Sequence, residues 1–146
     1  MDVMIRTPNG VYDIDPEDCY IRNHMMAGQV FESHIINGTI LPKYIRNAKY
    51  AVDVGGNIGC HAISYAHANP NLTVWAFEPQ KRLCNILRRN VAQNNLSDRV
   101  YVYDCGLGHT SMDCQLNSVD SVRDKNHNGW NKAGLGIGQG GEKMSI

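Results

Sequence analysis

Three short apolar segments that alternate with two helical segments constrain the fold of this chain more than any other feature. Residues 50–54, 72–77 and 99–104 are rich in valine and aromatic side chains, as β-strands are. Residues 58–68 and a segment that begins at Pro79 have helical patterns, and each is long enough to link parallel strands. The order predicts a βαβαβ unit, the N-terminal half of a doubly wound parallel α/β sheet.

The first strand, Tyr50–Val54, is almost entirely apolar apart from Asp53. Such a run is typical of a parallel strand that is buried on both faces. In the usual strand order the first strand lies between the second strand and a fourth strand. The sequence contains no clear fourth strand, so we expect an incomplete sheet whose first strand is an exposed apolar edge.

The pattern divides the chain into three segments. Residues 1–48 form a lead-in or cap, residues 49–109 form the βαβαβ core, and residues 110–146 form a polar, glycine-rich segment. Six of the thirteen residues from Gly129 to Gly141 are glycine, which indicates a loop or tail rather than core.

Within the lead-in, two stretches have recognisable patterns. Gly10–Ile14 alternates in the manner of a half-buried strand, and Asp15 is a candidate cap for a short helix after it. Residues 28–45 are loosely helical, and we expect Asn37-Gly38 and Pro42 to break them into two pieces.

Composition narrows the functional classes. The chain has 14 basic and 14 acidic residues, so no global field attracts nucleic acid or an anionic membrane. The five cysteines include no CxxC pair and the histidines lack the short spacings of zinc sites, so we predict free thiols and no metal site. We find neither a signal peptide nor an apolar stretch of about 18 residues. We therefore expect a cytoplasmic protein with a small-molecule acceptor and no nucleic-acid or membrane partner.

The segment Asp53-Val54-Gly55-Gly56-Asn57-Ile58-Gly59 lies where the first strand turns into the first helix. Such a turn brings the backbone close to a ligand at the carboxyl edge of the sheet, and glycines at 55 and 59 leave room for it. A dinucleotide site would require G-x-G-x-x-G, but from Gly55 onward Asn57 and Cys60 occupy two of the glycine positions. A carboxylate at position 53 would also repel a pyrophosphate, whereas it can accept hydrogen bonds from a ligand's ammonium group.

Two further acidic residues end the next two strands. Glu78 lies 25 residues after Asp53, where it can accept hydrogen bonds from two ribose hydroxyls in a nicotinamide or an adenosylmethionine site. Asp104 ends the third strand near the expected adenine edge, although a turn aspartate explains it equally well. His61 follows the motif and could approach a substrate, but a histidine on a helix surface is the simpler interpretation.

The motif at 53–59 and the tripeptide Phe77-Glu78-Pro79 together resemble the FkbM family of class I methyltransferases. Asn90 and Asn94-Asn95-Leu96 extend the likeness, which covers about residues 50–108. The resemblance implies a Rossmann-like fold, S-adenosylmethionine as the cofactor, and methyl transfer to an oxygen, often a sugar hydroxyl of a glycan or small molecule.

The family pattern also implies roles for particular residues. Gly55, Asn57 and Gly59 would line the methionyl end of the cofactor, and Glu78 would hold its ribose. We predict no catalytic residue, and the full candidate cofactor site consists of Asp53, Gly55, Gly56, Asn57, Gly59, Glu78 and Asp104.

One departure from the family pattern leaves several functions open. FkbM-like proteins continue after the third strand into a segment resembling I-D-V-E-G, which has no equivalent here. We therefore expect a C-terminally truncated chain, whose exposed sheet edge a homo-oligomer would cover. An S-adenosylmethionine-dependent methyltransferase is the leading hypothesis. The alternatives are a non-catalytic remnant that binds cofactor or a partner chain and, disfavoured by the glycine spacing, an NAD-type oxidoreductase.

Overall fold

The computed structural model describes residues 3–117, 123–124, 129–130, 138 and 140–146. The nine described strands are β1 (Val3–Thr7), β2 (Gly10–Ile14), β3 (Tyr50–Val54), β4 (Thr73–Phe77), β5 (Val100–Tyr103), β6 (Asp113–Asn117), β7 (Arg123–Asp124), β8 (Gly129–Trp130) and β9 (Gly140–Ser145). The helices in the same ranges are α1 (Cys19–Met25), α2 (Ser33–Ile35), the π-helix π1 (Ile36–Ile45), α3 (Cys60–Ala68) and α4 (Lys81–Gln93).

The central sheet consists of β3, β4 and β5, which are parallel and lie in that order. Asp53 is in register with Ala76, and Trp75 is in register with Tyr101. Helices α3 and α4 form the two crossovers, as the alternation of strand and helix requires. The predicted βαβαβ unit and its strand order are confirmed.

One face of this sheet carries the core of the protein. Val74 and Ala76 of β4 are fully buried, and Leu83 and Leu87 of α4 pack in the same cluster. Because every second side chain of a strand points to the same face, this face is built from alternate residues of the three strands. The apolar stripe of α4 predicted from sequence is the surface that covers it.

The opposite face of the sheet is exposed. Tyr50, Val52 and Val54 of β3 have relative exposures of 65%, 55% and 62%. The prediction that this strand is buried on both faces was therefore wrong. Right-handed crossovers that advance in one direction across a sheet put both helices on the same face, and the described residues place no helix against the other.

The lead-in contains a hairpin, β1–β2, that packs against α4 through asparagine side chains. Asn90 Oδ1 accepts from the Asp13 N–H at 2.7 Å, and Asn94 Oδ1 accepts from the Val11 N–H at 2.9 Å. The helix expected to be capped by Asp15 begins later, because Asp18 is the cap and accepts from the Ile21 N–H.

The second lead-in helix is continuous where two pieces were expected. Residues 33–45 stay helical past Asn37-Gly38 and Pro42, and π1 contains that proline. The wider ring of a π-helix links an N–H to the carbonyl five residues earlier, as from Arg46 to Leu41 at 3.1 Å. Each of these breakers is thus accommodated by a local change in hydrogen bonding.

The C-terminal segment contains a strand pair that the glycine content did not predict. β6 pairs with β9 in antiparallel register. Each strand contributes one buried apolar side chain, Leu116 from β6 and Met144 from β9. Part of the stretch expected to be loop or tail, 129–141, therefore belongs to β8 and β9, while 131–137 and 139 lie outside the described residues. Among the helices that are described, none has the length and apolarity needed to cross a bilayer.

Candidate cofactor site

Asp53 lies at the end of β3 and is buried, with 7% of its surface exposed. Its Oδ2 accepts from the backbone N–H of Ala62, at 3.1 Å, in the first turns of α3. Burial raises the pKa of the Asp53 carboxyl, while His61 and the Ala62 N–H act in the opposite direction. The carboxylate thus ties the strand to the start of the helix at the carboxyl edge of the sheet.

The loop from Gly55 to Gly59 is held by its own amides. The N–H groups of Gly55 and Gly56 both donate to the Phe77 carbonyl at 2.9 Å, and the Gly59 N–H donates to the Gly56 carbonyl at 2.8 Å. A phosphate site needs such amides to point at the ligand. With these donors engaged inside the protein, the loop is poorly suited to a pyrophosphate.

Glycine is required at positions 55, 56 and 59 of this loop for different physical reasons. A Cβ at Gly59 would lie 2.5 Å from Cδ1 of Leu87, and one at Gly56 would lie 3.0 Å from its Cδ2. A Cβ at Gly55 would meet no atom of the described residues within 4 Å. Gly55 instead has φ 82°, a left-handed backbone that favours glycine, whereas Gly56 and Gly59 allow the loop to pack on α4.

Glu78 follows β4 and joins the loop to the start of α4. Its Oε2 accepts from the Asn57 N–H at 2.9 Å, and its Oε1 accepts from the Gln80 N–H at 2.8 Å. Only 4% of its surface is exposed. The structure therefore brings Glu78 together with the motif loop, as the positions of the two strand ends predicted.

A small cavity of about 90 Å³ opens beside the loop. Its lining includes Asp53, Gly55, Gly56 and Asn57 from the motif. The side-chain Oδ1 of Asn57 is buried and has no hydrogen-bond partner among the described residues. A buried acceptor without a partner costs free energy unless a ligand or a water donates a hydrogen bond to it. The cavity therefore favours a ligand group that can donate to Asn57 Oδ1.

Asp104 lies apart from this cavity. It lines a second and larger one, of about 740 Å³, together with Pro79, Lys81 and residues of β6 and β9. Its side chain is more than half exposed and lies 3.7 Å from Nη2 of Arg88. Glu78 lines neither cavity, but its neighbour Pro79 lines the larger one and its hydrogen-bond partner Asn57 lines the smaller one.

Sequence reasoning undervalued His61 of the small cavity and missed four other residues of its lining, namely Ile21, Phe31, Glu32 and Cys60. Glu32 of the lead-in and His61 of α3 both line it, and they contact each other. No sequence signal marks Glu32, because its position depends on a backbone conformation and on a contact 29 residues away in the chain.

The fold has clear relatives among solved structures. The Pyrococcus horikoshii protein TYW2 in complex with MeSAdo matches with a TM-score of 0.53 at 18% identity, over 70% of this chain and 35% of that one. The chain therefore has the α/β, Rossmann-like fold of class I methyltransferases and contains the βαβαβ part of it.

Sequence comparison adds particular relatives, although no family model matches the chain. The chain is similar to ribosomal RNA small subunit methyltransferase G of Frankia alni, with 34% identity over 85 residues, 55% of this chain and 32% of that protein. Methyltransferase 1 of Beauveria bassiana is 37% identical over 67 residues, 46% of this chain and 26% of that protein. The chain spans about a third of the length of the curated relatives that it matches.

These relatives correct one expectation. The balanced charge led us to expect no nucleic-acid partner and a small-molecule acceptor. The expectation of no nucleic-acid partner was wrong, because relatives of this chain are named as methyltransferases of ribosomal RNA. Net charge reports the sum over the whole chain, so it does not reveal what one surface or a neighbouring domain contacts.

Proposed function

We propose that this chain is the cofactor-binding part of an S-adenosylmethionine-dependent methyltransferase. The observation that carries the proposal is the buried Glu78 carboxylate, which holds the Asn57 N–H of the motif loop at the carboxyl edge of a parallel sheet. Ligands of doubly wound folds bind at this edge. The methyltransferase relatives and the shared fold support the same function.

The chemistry of the site fits this cofactor. The polar motif side chains that line the small cavity are acceptors, namely the carboxylate of Asp53 and the Oδ1 of Asn57, and the Glu78 carboxylate is bonded to the same loop. Adenosylmethionine carries ribose hydroxyls, an ammonium group and a sulfonium, which are donors or cations, and it has no phosphate. A dinucleotide fits less well, because the loop amides are engaged within the protein.

Each candidate residue has a defined task in this proposal. Glu78 would accept from the ribose hydroxyls, because it is a carboxylate at the carboxyl edge of the sheet, directly beside the motif loop. Asp53 and Asn57 would adjoin the methionyl end, and Asp104 would lie on the adenine side. When bound, the cofactor supplies an electrophilic methyl group. The chain's residues bind and orient it, which is the main source of rate in such transfers.

We propose RNA as the acceptor class of the whole protein. The names of two of its relatives support this choice. The alternative is a sugar hydroxyl, which the paired motifs around Asp53 and Phe77-Glu78-Pro79 favour through their resemblance to the FkbM family.

Calorimetric titration of the chain with S-adenosylhomocysteine and with NADH tests the cofactor. We expect micromolar binding of S-adenosylhomocysteine, weakened at least about tenfold in Glu78→Gln, because hydrogen bonds to an ionised acceptor are the stronger ones. Asp98→Asn is the control, since it removes an exposed carboxylate elsewhere. A folded wild type that binds NADH, or that binds neither ligand, contradicts the proposal.

A radiolabelled transfer assay then tests the acceptor. Methyl incorporation from S-adenosylmethionine is compared for ribosomal RNA fragments and for glycans. Incorporation into RNA alone supports the proposed acceptor, and incorporation into glycan alone supports the alternative. Tight cofactor binding without transfer to either acceptor assigns this chain a binding role only.

A further inference from the structure

The lead-in reaches the cofactor site through a side-chain pair. Oε2 of Glu32 lies 3.2 Å from Nε2 of His61, and both side chains are about one-third exposed. Both residues also line the cavity that contains Asp53 and Asn57. Neither belongs to the motif, and they come from different segments of the chain.

The pair is fixed from both sides. Glu32 has φ 59° and ψ 25°, a left-handed conformation that a glutamate seldom adopts. Its carbonyl accepts from the N–H groups of Ile35 and Ile36, at 2.9 and 3.1 Å, so the start of the helix holds it there. The His61 ring stacks on Tyr65, with centroids 5.7 Å apart and planes 11° apart. The backbone of Glu32 and the ring of His61 are thus held at the cavity by local structure.

The cavity has a negative field. Burial, followed by the charges of Asp53 and of Glu32, raises the pKa of the Tyr65 hydroxyl to about 12. The same two carboxylates also contribute, after burial, to raising the pKa of the Cys60 thiol to about 12. Two carboxylates on one small cavity favour a cationic ligand group, and the imidazole of His61 on the same cavity can donate to an anionic one.

We propose that Glu32 and His61 bind the amino-acid end of the cofactor. The carboxylates of Glu32 and Asp53 would accept from its α-ammonium group, and the imidazole of His61 would donate to its α-carboxylate. Although His61 Nε2 lies 3.2 Å from Glu32 Oε2, it is buried without a hydrogen bond to any described residue, so it is available to donate to the carboxylate of a zwitterion. This inference rests on the proposed function. It adds a subsite from the lead-in segment to the site built by the motif.

Two ligands separate this subsite from the rest of the site. S-adenosylhomocysteine carries the amino-acid end, whereas 5′-methylthioadenosine has the same adenosine and sulfur without it. Titrations of the full chain should give at least about tenfold weaker binding of S-adenosylhomocysteine in Glu32→Gln and in His61→Asn, as expected for lost charge-assisted hydrogen bonds. Binding of 5′-methylthioadenosine should change less than about twofold in both variants.

Matched variants keep this test independent of folding. His34→Asn changes an exposed histidine of the same helical segment and should leave both affinities unchanged. Glu32→Gly removes the carboxylate while keeping a residue that adopts the left-handed backbone freely, so it should fold and show the same selective loss.

Several outcomes would overturn the inference. Equal weakening of both ligands would mean that the pair supports the whole site rather than the amino-acid end. Unchanged affinity for S-adenosylhomocysteine would remove the subsite while leaving the proposed function intact. If the folded wild type binds neither ligand, the proposed function itself fails and the subsite fails with it.

Discussion

The two faces of the central sheet have similar apolar side chains and opposite environments. On one face, Val74 and Ala76 are fully buried beneath α3 and α4. On the other, Val52 of β3 and Tyr101 of β5 are exposed on the two strands that flank β4. An apolar side chain in a strand is thus not sufficient for burial, because the connections decide which face receives helices.

The two faces of the sheet differ in what they contribute, since the covered face stabilises the fold and the exposed face is available for contacts with other molecules. The covered face, together with the loop that packs on it, contains the residues that hold the candidate site in place. The exposed face has aromatic pairs, Tyr50 with Trp75 and Phe77 with Tyr103, whose ring centroids lie 5.5 and 5.0 Å apart. Exposed apolar patches of this kind are uncommon on soluble monomers. We therefore expect substitutions on the covered face to act on folding and those on the exposed face to act on solubility or association.

The largest effect is expected from Leu87→Ala. Leu87 is fully buried in α4, and its methyl groups lie against Gly56 and Gly59. Truncation leaves a cavity in the core and should lower the free energy of unfolding by about 2–5 kcal/mol. Urea denaturation measures this loss. A loss below about 1 kcal/mol would show that this face is not the main source of stability.

A somewhat smaller effect is expected from Asn90→Ala. The side chain is fully buried, accepts from the Asp13 N–H, and donates to the Ile58 carbonyl at 2.8 Å. Its loss leaves buried backbone groups unpaired and should destabilise the protein by about 2–3 kcal/mol. Asn71→Ala, at an exposed loop position, is the control in the same denaturation experiment. Equal effects of the two variants would contradict a hub role for Asn90.

Asp53→Asn should change how the stability of the protein depends on pH. Because burial raises the pKa of Asp53 in the fold, stability is favoured at low pH and falls as pH rises from the ordinary value through the raised one. The amide still accepts from the Ala62 N–H without a buried charge. We expect the variant to lose this pH dependence and to unfold at pH 7 no more easily than wild type. Denaturation between pH 4 and 8 measures it, and a large loss at pH 7 would contradict the account.

The smallest effect on stability is expected on the exposed face. Val52→Thr changes a side chain that is more than half exposed, so its free energy of unfolding should change by less than about 0.5 kcal/mol. Light scattering at rising concentration should show less self-association than wild type, because the apolar patch is smaller. A loss of 2 kcal/mol or more, comparable to that expected from a core truncation, would show that this face is covered.

Much of the core could be predicted from sequence because its signals are local. The strand Tyr50–Val54 could be located because the motif begins at its end. The apolar stripe of α4 could be located from the spacing of its apolar residues. The exposed face could not be predicted, because strands apolar on both sides have the pattern of buried ones. The course of π1 through Pro42 was also hidden, since that residue normally ends a helix.

The candidate site divides in the same way. Asp53 and Glu78 were predictable from the ends of two adjacent parallel strands, which must meet at one edge of the sheet. Their contacts with backbone N–H groups and the packing role of Gly59 required the tertiary structure. Glu32 had no local signal, because its left-handed backbone and its contact with His61 arise from the fold.

Amide hydrogen exchange with and without S-adenosylhomocysteine tests most directly where the cofactor binds. If it binds at the carboxyl edge beside the motif, peptides that contain residues 53–62 and 77–84 should exchange more slowly with ligand present. Peptides from β1 should be unchanged. Protection confined to β6 and β9, beside the larger cavity, or no protection in a protein that binds the ligand, would contradict the assignment of the site to Asp53, Asn57 and Glu78.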